Sequence, residues 1–507
     1  MSRHPHRYRQ RLLRNTIVTG ATGAWAVLLA AAVVPVLLTQ LGTEQFGLWA
    51  LVWSFSAING WPSVATVGLG VACTRRVAAA LVDDRPDAAA GTVTVFVAVG
   101  AVLGATMATL GAALLPALVA GDPTLEDSLT AALRWSGLWI GSEAVVHGCG
   151  AALEGTQRVD RARTLDAVRR TVVTGAAVLA ALDTGSLEAV MAASALAALF
   201  VAIGGVGVMV SVHRQLRPLG RPRQVGVLTR EAVGFTTLNA SGVLHRSMDR
   251  LLVATMIGPA AVAAVEVASR LRDIAQLVLS TSSYTAISAA SWLDAQGEPV
   301  KLRRLVEVGS RLSLLATWST VAVLAVFVSP ILDVWLGAEV PDGVTALALL
   351  GLAYTAVHAP FQVGVNVLTG AGRVGRLNAV AWAGVVINLA ASLVLIDRLG
   401  VTGAFVGTLC GSALVVPMLA RLLLDELETD TRWALHTIIG PVLAPVGLIV
   451  IVGLVVVAAG WAPTPTLVVG AGLTVAVAVP AALRWTVHPD EVRELLGSST
   501  DEVPTAV

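Results

Sequence analysis

The chain has 507 residues, of which 56% are hydrophobic and 13% charged, with a mean hydropathy of +0.78. That composition excludes a soluble multidomain protein and predicts an all-α polytopic membrane protein. The formal net charge is +1, and no nucleic-acid partner is expected.

Arg3, Arg7, Arg9, Arg11 and Arg14 precede an apolar run, Thr16 to Leu38. That run is longer than the roughly 7 to 15 residues of a signal-peptide core, so it reads as an anchor with its N-terminus inside. Leu48 to Cys73 makes the second span after a turn over Gln40 to Gly47, with Asn59, Ser63 and Thr66 on one face and a kink at Pro62. Spans three and four are Thr92 to Leu115 and Leu129 to Leu153, and span four carries Glu143 and His147 at i, i+4. Span five ends near Leu182, after a basic cluster of Arg158, Arg161, Arg163, Arg169 and Arg170. Span six runs from Leu187 to Val212. The arginines between 214 and 230, broken by Pro218 and Pro222, mark a linker. After spans seven and eight, span nine is Leu312 to Val328 and span ten Val344 to Leu368, with His358, Gln362 and Asn366 on one face. Asn378 to Ile396, a twelfth span ending at Arg421, His436 to Ala459 and a fourteenth ending before Arg484 complete the set. Basic residues fall on one side at every crossing except for rims at Arg134 and Arg398, which places both termini in the cytoplasm. Cys73, Cys149 and Cys410 lie in apolar spans without ligand-like spacing, so no disulfide framework, zinc site or other cofactor is expected.

Spans seven and eight break the apolar pattern. Arg246, Asp249 and Arg250 fall at i, i+3 and i+4, and Glu266, Arg270 and Asp273 at i, i+4 and i+7, with Gly258-Pro259 as the turn between them. An ionised side chain at the bilayer centre costs roughly 2.5 to 3.5 kcal/mol, so these charges require partners. Arg250 and Glu266 stand eight residues either side of the turn, each about 12 Å below it, and are predicted to pair. Counting Arg272, which points away from Arg270, four arginines face three carboxylates. The surplus suits a cavity that receives an anion, and the same residues also fit an ion-pair cluster that only holds helices together.

The chain repeats itself. Leu153, Gly155, Arg158, Val159 and Arg161 match Leu368, Gly370, Arg373, Val374 and Arg376 at an offset of 215, and Thr39 and Gly42 match Thr255 and Gly258 at 216. Six spans separate equivalents, which gives two six-helix lobes of the same orientation, residues 1–213 and 231–424, joined by the linker 214–230. Residues 425–486 add two helices and 487–507 a cytoplasmic tail. Such repeats place a transport site between lobes near the midplane, reached by alternating access. The offset also aligns Glu143 with His358, a candidate pair for proton or cation coupling or for structural hydrogen bonding.

The segment from Leu38, with its Leu-Gly turn, Phe-Gly-Leu-Trp start and Gly-Leu-Gly end before Arg75, resembles the first hairpin of the multidrug/oligosaccharidyl-lipid/polysaccharide (MOP) exporter superfamily, and within it the polysaccharide or O-antigen flippases. Asp249-Arg250-Leu-Leu before Gly258, Trp335-Leu-Gly and the stretch Asn388 to Gly407 agree in order and spacing. The resemblance implies a non-enzymatic transporter in the bacterial cytoplasmic membrane that moves a polyprenyl-diphosphate-linked oligosaccharide between leaflets, alongside glycan polymerase and glycosyltransferases. It implies that Arg246, Arg250 and Arg270, with Asp249, Glu266 and Asp273 on the same faces, would meet the diphosphate. Asn59, His358, Gln362 and Asn366 would hydrogen-bond the sugars, and the last two helices would face lipid or cradle the polyprenyl tail. The first half lacks charges matching Arg246, Asp249 and Arg250, so such a site is lopsided towards the second half. Two alternatives are a cation-coupled drug exporter of the same superfamily and a membrane scaffold of a glycan-assembly complex.

Overall fold

The computed structural model describes residues 5–54, 63–118, 123–214, 216, 240–244, 247–283, 285–470 and 472. Regular structure among them is helical throughout. The elements are α1 (Pro5–Trp53), α2 (Ser63–Val82), α3 (Pro86–Leu118), α4 (Pro123–Gly155), α5 (Val159–Thr184), α6 (Leu187–Val212) and α7 (residues 247–256). They continue with α8 (Pro259–Ser283), α9 (Thr285–Ala295), α10 (Pro299–Val326), α11 (Val328–Leu336), α12 (Val344–Gly370), α13 (Val374–Leu399), α14 (Val401–Glu426), α15 (Thr431–Ala434) and α16 (Gly440–Ala458).

Eight helical stretches among the described residues are long and apolar enough to cross a membrane. A 26-residue helix such as α6 rises about 39 Å, more than the roughly 30 Å of bilayer hydrocarbon. Helix is the state that satisfies every backbone polar group within one segment, which lipid demands. Leu196, Phe200 and Ile203 form an exposed stripe at helical spacing on α6, as they would where the solvent is lipid. The protein is an all-α polytopic membrane protein. Helices α4, α5 and α8 fall outside the eight, and each carries ionised side chains along its length.

The turn expected over Gln40 to Gly47 contracts to one residue. Gly42 has φ 74 and ψ 169 inside an otherwise unbroken helical run from Pro5 to Trp53. A positive φ there costs a glycine nothing sterically. Its repeat equivalent Gly258 also has a positive φ, 127. The repeat extends further: α5 and α13 are 26 residues each and begin at the offset of 215, with positive φ just before them at Gln157 and Gly372 and just after at Gly185 and Gly400. The kink expected at Pro62, the linker at 214–230 and the end of the fourteenth span lie outside the described residues.

The chain divides into two compact units, Met1–Glu266 and Val267–Val507. In the first, α4 is central and packs against α2, α3, α5 and α6, while α1 lies along α5. Phe46, Trp49 and Trp53 stack in sequence at 5.5 and 5.3 Å, and Trp53 continues onto Trp139 of α4 at 5.0 Å. In the second, α12 packs against α9, α10 and α14, α13 pairs with α14, and α10 with α16.

Candidate functional site

The charged hairpin folds as its spacing requires. The α7 helix ends on hydrogen bonds from the Ile257 and Gly258 amides to the Val253 carbonyl, and Pro259 starts α8. Across that turn Arg250 Nη2 lies 2.8 Å from Glu266 Oε2, the pair predicted from equal distance to the glycine. Glu266 and Asp249 are buried, which makes this a desolvated ion pair rather than a surface one. Arg270 follows one turn after Glu266 and is half-buried. Asp273 is partly exposed, with Arg272 Nη2 3.6 Å from its Oδ1. Arg272, expected on neither charged face, is buried, its stem packed where Gly351 of α12 leaves room. His245, Arg246 and Asn59 lie outside the described residues.

The polar face of α12 is present and partly engaged. His358 Nδ1 donates to the Tyr354 carbonyl at 3.0 Å and its ring stacks on Tyr354 at 4.2 Å, a tautomer that leaves Nε2 as an acceptor. Gln362 Nε2 donates to Asn366 Oδ1 at 3.2 Å, and Asn366 Nδ2 donates to the Ser283 carbonyl at 2.9 Å. Asn366 thereby satisfies a carbonyl at the end of α8 that has no intrahelical partner. One turn before His358, Thr355 accepts from Gln276 of α8 at 3.3 Å. The stripe therefore docks α12 on α8 at both ends and holds His358 and Gln362 between.

Glu143 belongs to a network that its sequence position did not announce. It is fully buried on α4, and Arg169 Nη1 of α5 donates to its Oε1 at 2.5 Å. Asp166 accepts from Arg169 Nη2 at 2.9 Å and from Arg170 Nε at 2.8 Å. By sequence Arg169 and Arg170 read as part of a basic cluster ahead of the end of span five. The available hint is Asp166, placed at i−3 and i−4 to them, which gives α5 a mixed-charge face. His147, one turn beyond Glu143, sets its ring edge-on to Phe96 at 5.7 Å and fills the space left by Gly70. Glu143 lies in the first unit and His358 in the second.

No protein-family model and no curated protein sequence matches the chain. Solved structures do match. The lipid II flippase MurJ in an inward closed conformation agrees with a TM-score of 0.68 at 11% identity, over 95% of this chain and 99% of that one. An inward-facing multidrug resistance MATE family transporter of the MOP superfamily gives 0.65 at 13% identity, over 82% and 98%. The MATE multidrug transporter DinF-BH gives 0.63 at 15% identity, over 83% and 97%. The chain shares the backbone fold of these three transporters. At these identities the match concerns the path of the backbone. A shared fold does not fix what is bound.

Proposed function

We propose that the protein is a membrane transporter that moves a polyprenyl-diphosphate-linked oligosaccharide across the cytoplasmic membrane by alternating access, for cell-surface polysaccharide assembly. The observation that carries this reading is the hairpin of α7 and α8, where arginines interrupt an otherwise apolar sequence and one buried carboxylate, Glu266, is held by Arg250. A diphosphate suits arginine because the guanidinium offers paired donors to phosphate oxygens and keeps its charge at any physiological pH. Arg246, Arg250 and Arg270 would meet that group, while Asp249, Glu266 and Asp273 orient them. Asn59, His358, Gln362 and Asn366 would serve the sugars, and Glu143 and His358 the coupling ion. The greater coverage by MurJ, 95% against 82% for the MATE transporter, differs by about the size of the two-helix segment 425–486 and favours a lipid-linked substrate.

A second reading, a cation-coupled multidrug exporter, is favoured by the two MATE matches. Cationic drugs would want unpaired carboxylates in the cavity, which an arginine surplus does not supply. The purified protein in liposomes separates the two: flipping of a labelled lipid-linked sugar is expected, with no accumulation of a cationic dye, and a scaffold would do neither. The decisive variant is Arg270→Gln, expected to fold and to lose flipping by roughly 10- to 100-fold. Arg270→Lys should recover part of it, keeping the charge and losing the fork. Parental flipping by Arg270→Gln overturns the role of the hairpin.

A further inference from the structure

A second arginine cluster, none of whose residues belongs to the charged hairpin, lines a cavity of about 340 Å³ formed by α2, α4 and α5. Its polar wall is Thr74 and Arg75 from α2, His147 and Glu154 from α4, and Arg163, Asp166 and Arg170 from α5. Spacing at i, i+3 and i+7 puts the three α5 residues on one face, while Thr74 Oγ1 donates to the Ala151 carbonyl at 3.0 Å and ties α2 to α4.

The carboxylates in that wall are already engaged. Glu154 Oε1 is 3.1 Å from Arg163 Nη2, and both oxygens of Asp166 accept from Arg169 and Arg170. The remaining capacity belongs to donors. Arg75 is exposed and forms no ion pair among the described residues. Arg163 Nε, although buried, has no hydrogen-bond partner, and His147 Nδ1 on the same wall has none either. Arg75, Arg163 and Arg170 face two carboxylates, and Arg169 behind them is balanced by Glu143, so the cavity keeps one positive charge in excess. A cation would find its ligands taken. An anion with several acceptor oxygens would find forked donors in place. The volume falls at the small end of ligand pockets, roughly 300 to 1,000 Å³, which fits a phosphate-sized head and not a whole lipid-linked oligosaccharide. Arg76, Arg85, Arg158 and Arg161 flank these residues in sequence, the mark of the inner membrane face.

We propose that this cavity binds a phosphate or diphosphate group at the inner face of the first unit, as a site separate from the charged hairpin. The group can come from solution or from the head of an anionic membrane lipid. The site stands or falls independently of the transported substrate, because its test is binding and not transport.

Full-length protein in an uncharged detergent is titrated with sodium phosphate and sodium diphosphate against sodium chloride of equal ionic strength, reading the thermal unfolding midpoint. In parallel, phosphatidic acid or diacylglycerol is added and retained lipid is counted by native mass spectrometry. Saturable stabilisation by the soluble anions assigns a solution source, and retention of phosphatidic acid but not diacylglycerol assigns a lipid source. In either arm Arg75→Gln, at an exposed position, should weaken binding by about tenfold or more, and the pair Arg163→Gln with Glu154→Gln should do so without leaving a carboxylate unpaired. Because the hairpin is itself proposed to take a diphosphate, both variants are also compared in an Arg270→Gln background, where their effect should persist. The proposal is overturned if neither anion nor phosphatidic acid binds saturably, if chloride acts equally, if Arg75→Gln and the double variant bind as the parent, or if only Arg270→Gln loses binding.

Discussion

Buried charge decides most of what individual residues do in this chain. Glu143 and Arg169 are both almost without solvent contact, and each is the other's main compensation, with Asp166 as the second partner of Arg169. Removing one member of a buried pair leaves the other desolvated, at a cost of about 3–5 kcal/mol. Glu143→Gln alone is therefore expected to lower the thermal midpoint clearly, and Glu143→Gln with Arg169→Gln to recover most of the loss. The double variant also separates structure from coupling. If Glu143 exchanges the coupling ion, the double variant folds and transports without dependence on the proton or sodium gradient. A double variant with the parental gradient response makes Glu143 structural. The same logic applies to Arg250 and Glu266, held at 2.8 Å: Arg250→Gln should destabilise, and adding Glu266→Gln should restore the midpoint.

At the scale of elements, small residues set how closely helices approach. On α14, Gly403, Gly407 and Gly411 recur every fourth residue and face α13. A Cβ at Gly403 would overlap the Leu395 carbonyl, and one at Gly407 would stand 2.5 Å from Ser392 Oγ. Across the seam Asn388 Nδ2 donates to Thr408 Oγ1 at 3.2 Å and Ser392 Oγ to the Ala404 carbonyl at 3.4 Å, so close backbones and interhelical hydrogen bonds replace the hydrophobic drive that lipid removes. Gly403→Leu is expected to lower the midpoint strongly and Gly375→Leu, where a Cβ meets nothing within 4 Å, to leave it nearly unchanged, as differential scanning fluorimetry would show. The spans themselves were legible because a stretch of apolar residues longer than the bilayer admits one structure; the expected sixth span, Leu187 to Val212, coincides with α6. The Arg250–Glu266 pair was legible because a glycine turn fixes which residues share a depth. The Glu143–Arg169 pair was not, since tertiary pairing between helices 26 residues apart leaves no periodic trace. The short helix α9 and the charged first turns of α10 escape a reading by hydropathy, because polar residues near a membrane face extend a helix as readily as they end it.

For the whole molecule, the prediction with most at stake is sidedness, because every statement about an inner face depends on it. Arginines at 75, 76 and 85, at 158 to 170, at 214 to 230, at 303 to 311 and at 373 and 376 recur after every second expected crossing, which predicts those connections inside. Ser186 precedes α6 and Asp342 precedes α12, so spans six to nine lie between them and an even number of crossings returns the chain to the same side. Arg221 lies one crossing beyond Ser186 and so on the opposite side. Single cysteines replacing Gly121, Ser186 and Asp342 should react with an impermeant thiol reagent added to intact cells, and one replacing Arg221 should react only after permeabilisation. Cys73 and Cys149 are buried and can stay, whereas Cys410 is exposed and is replaced by alanine first. Labelling at Ser186 without labelling at Asp342 would mean an odd number of crossings and remove one member of a span pair, which would break the equivalence of α5 with α13. Labelling at Arg221 in intact cells would invert the first half, and would put Arg75, Arg163 and Arg170 on the outer face where the positive-inside bias forbids them.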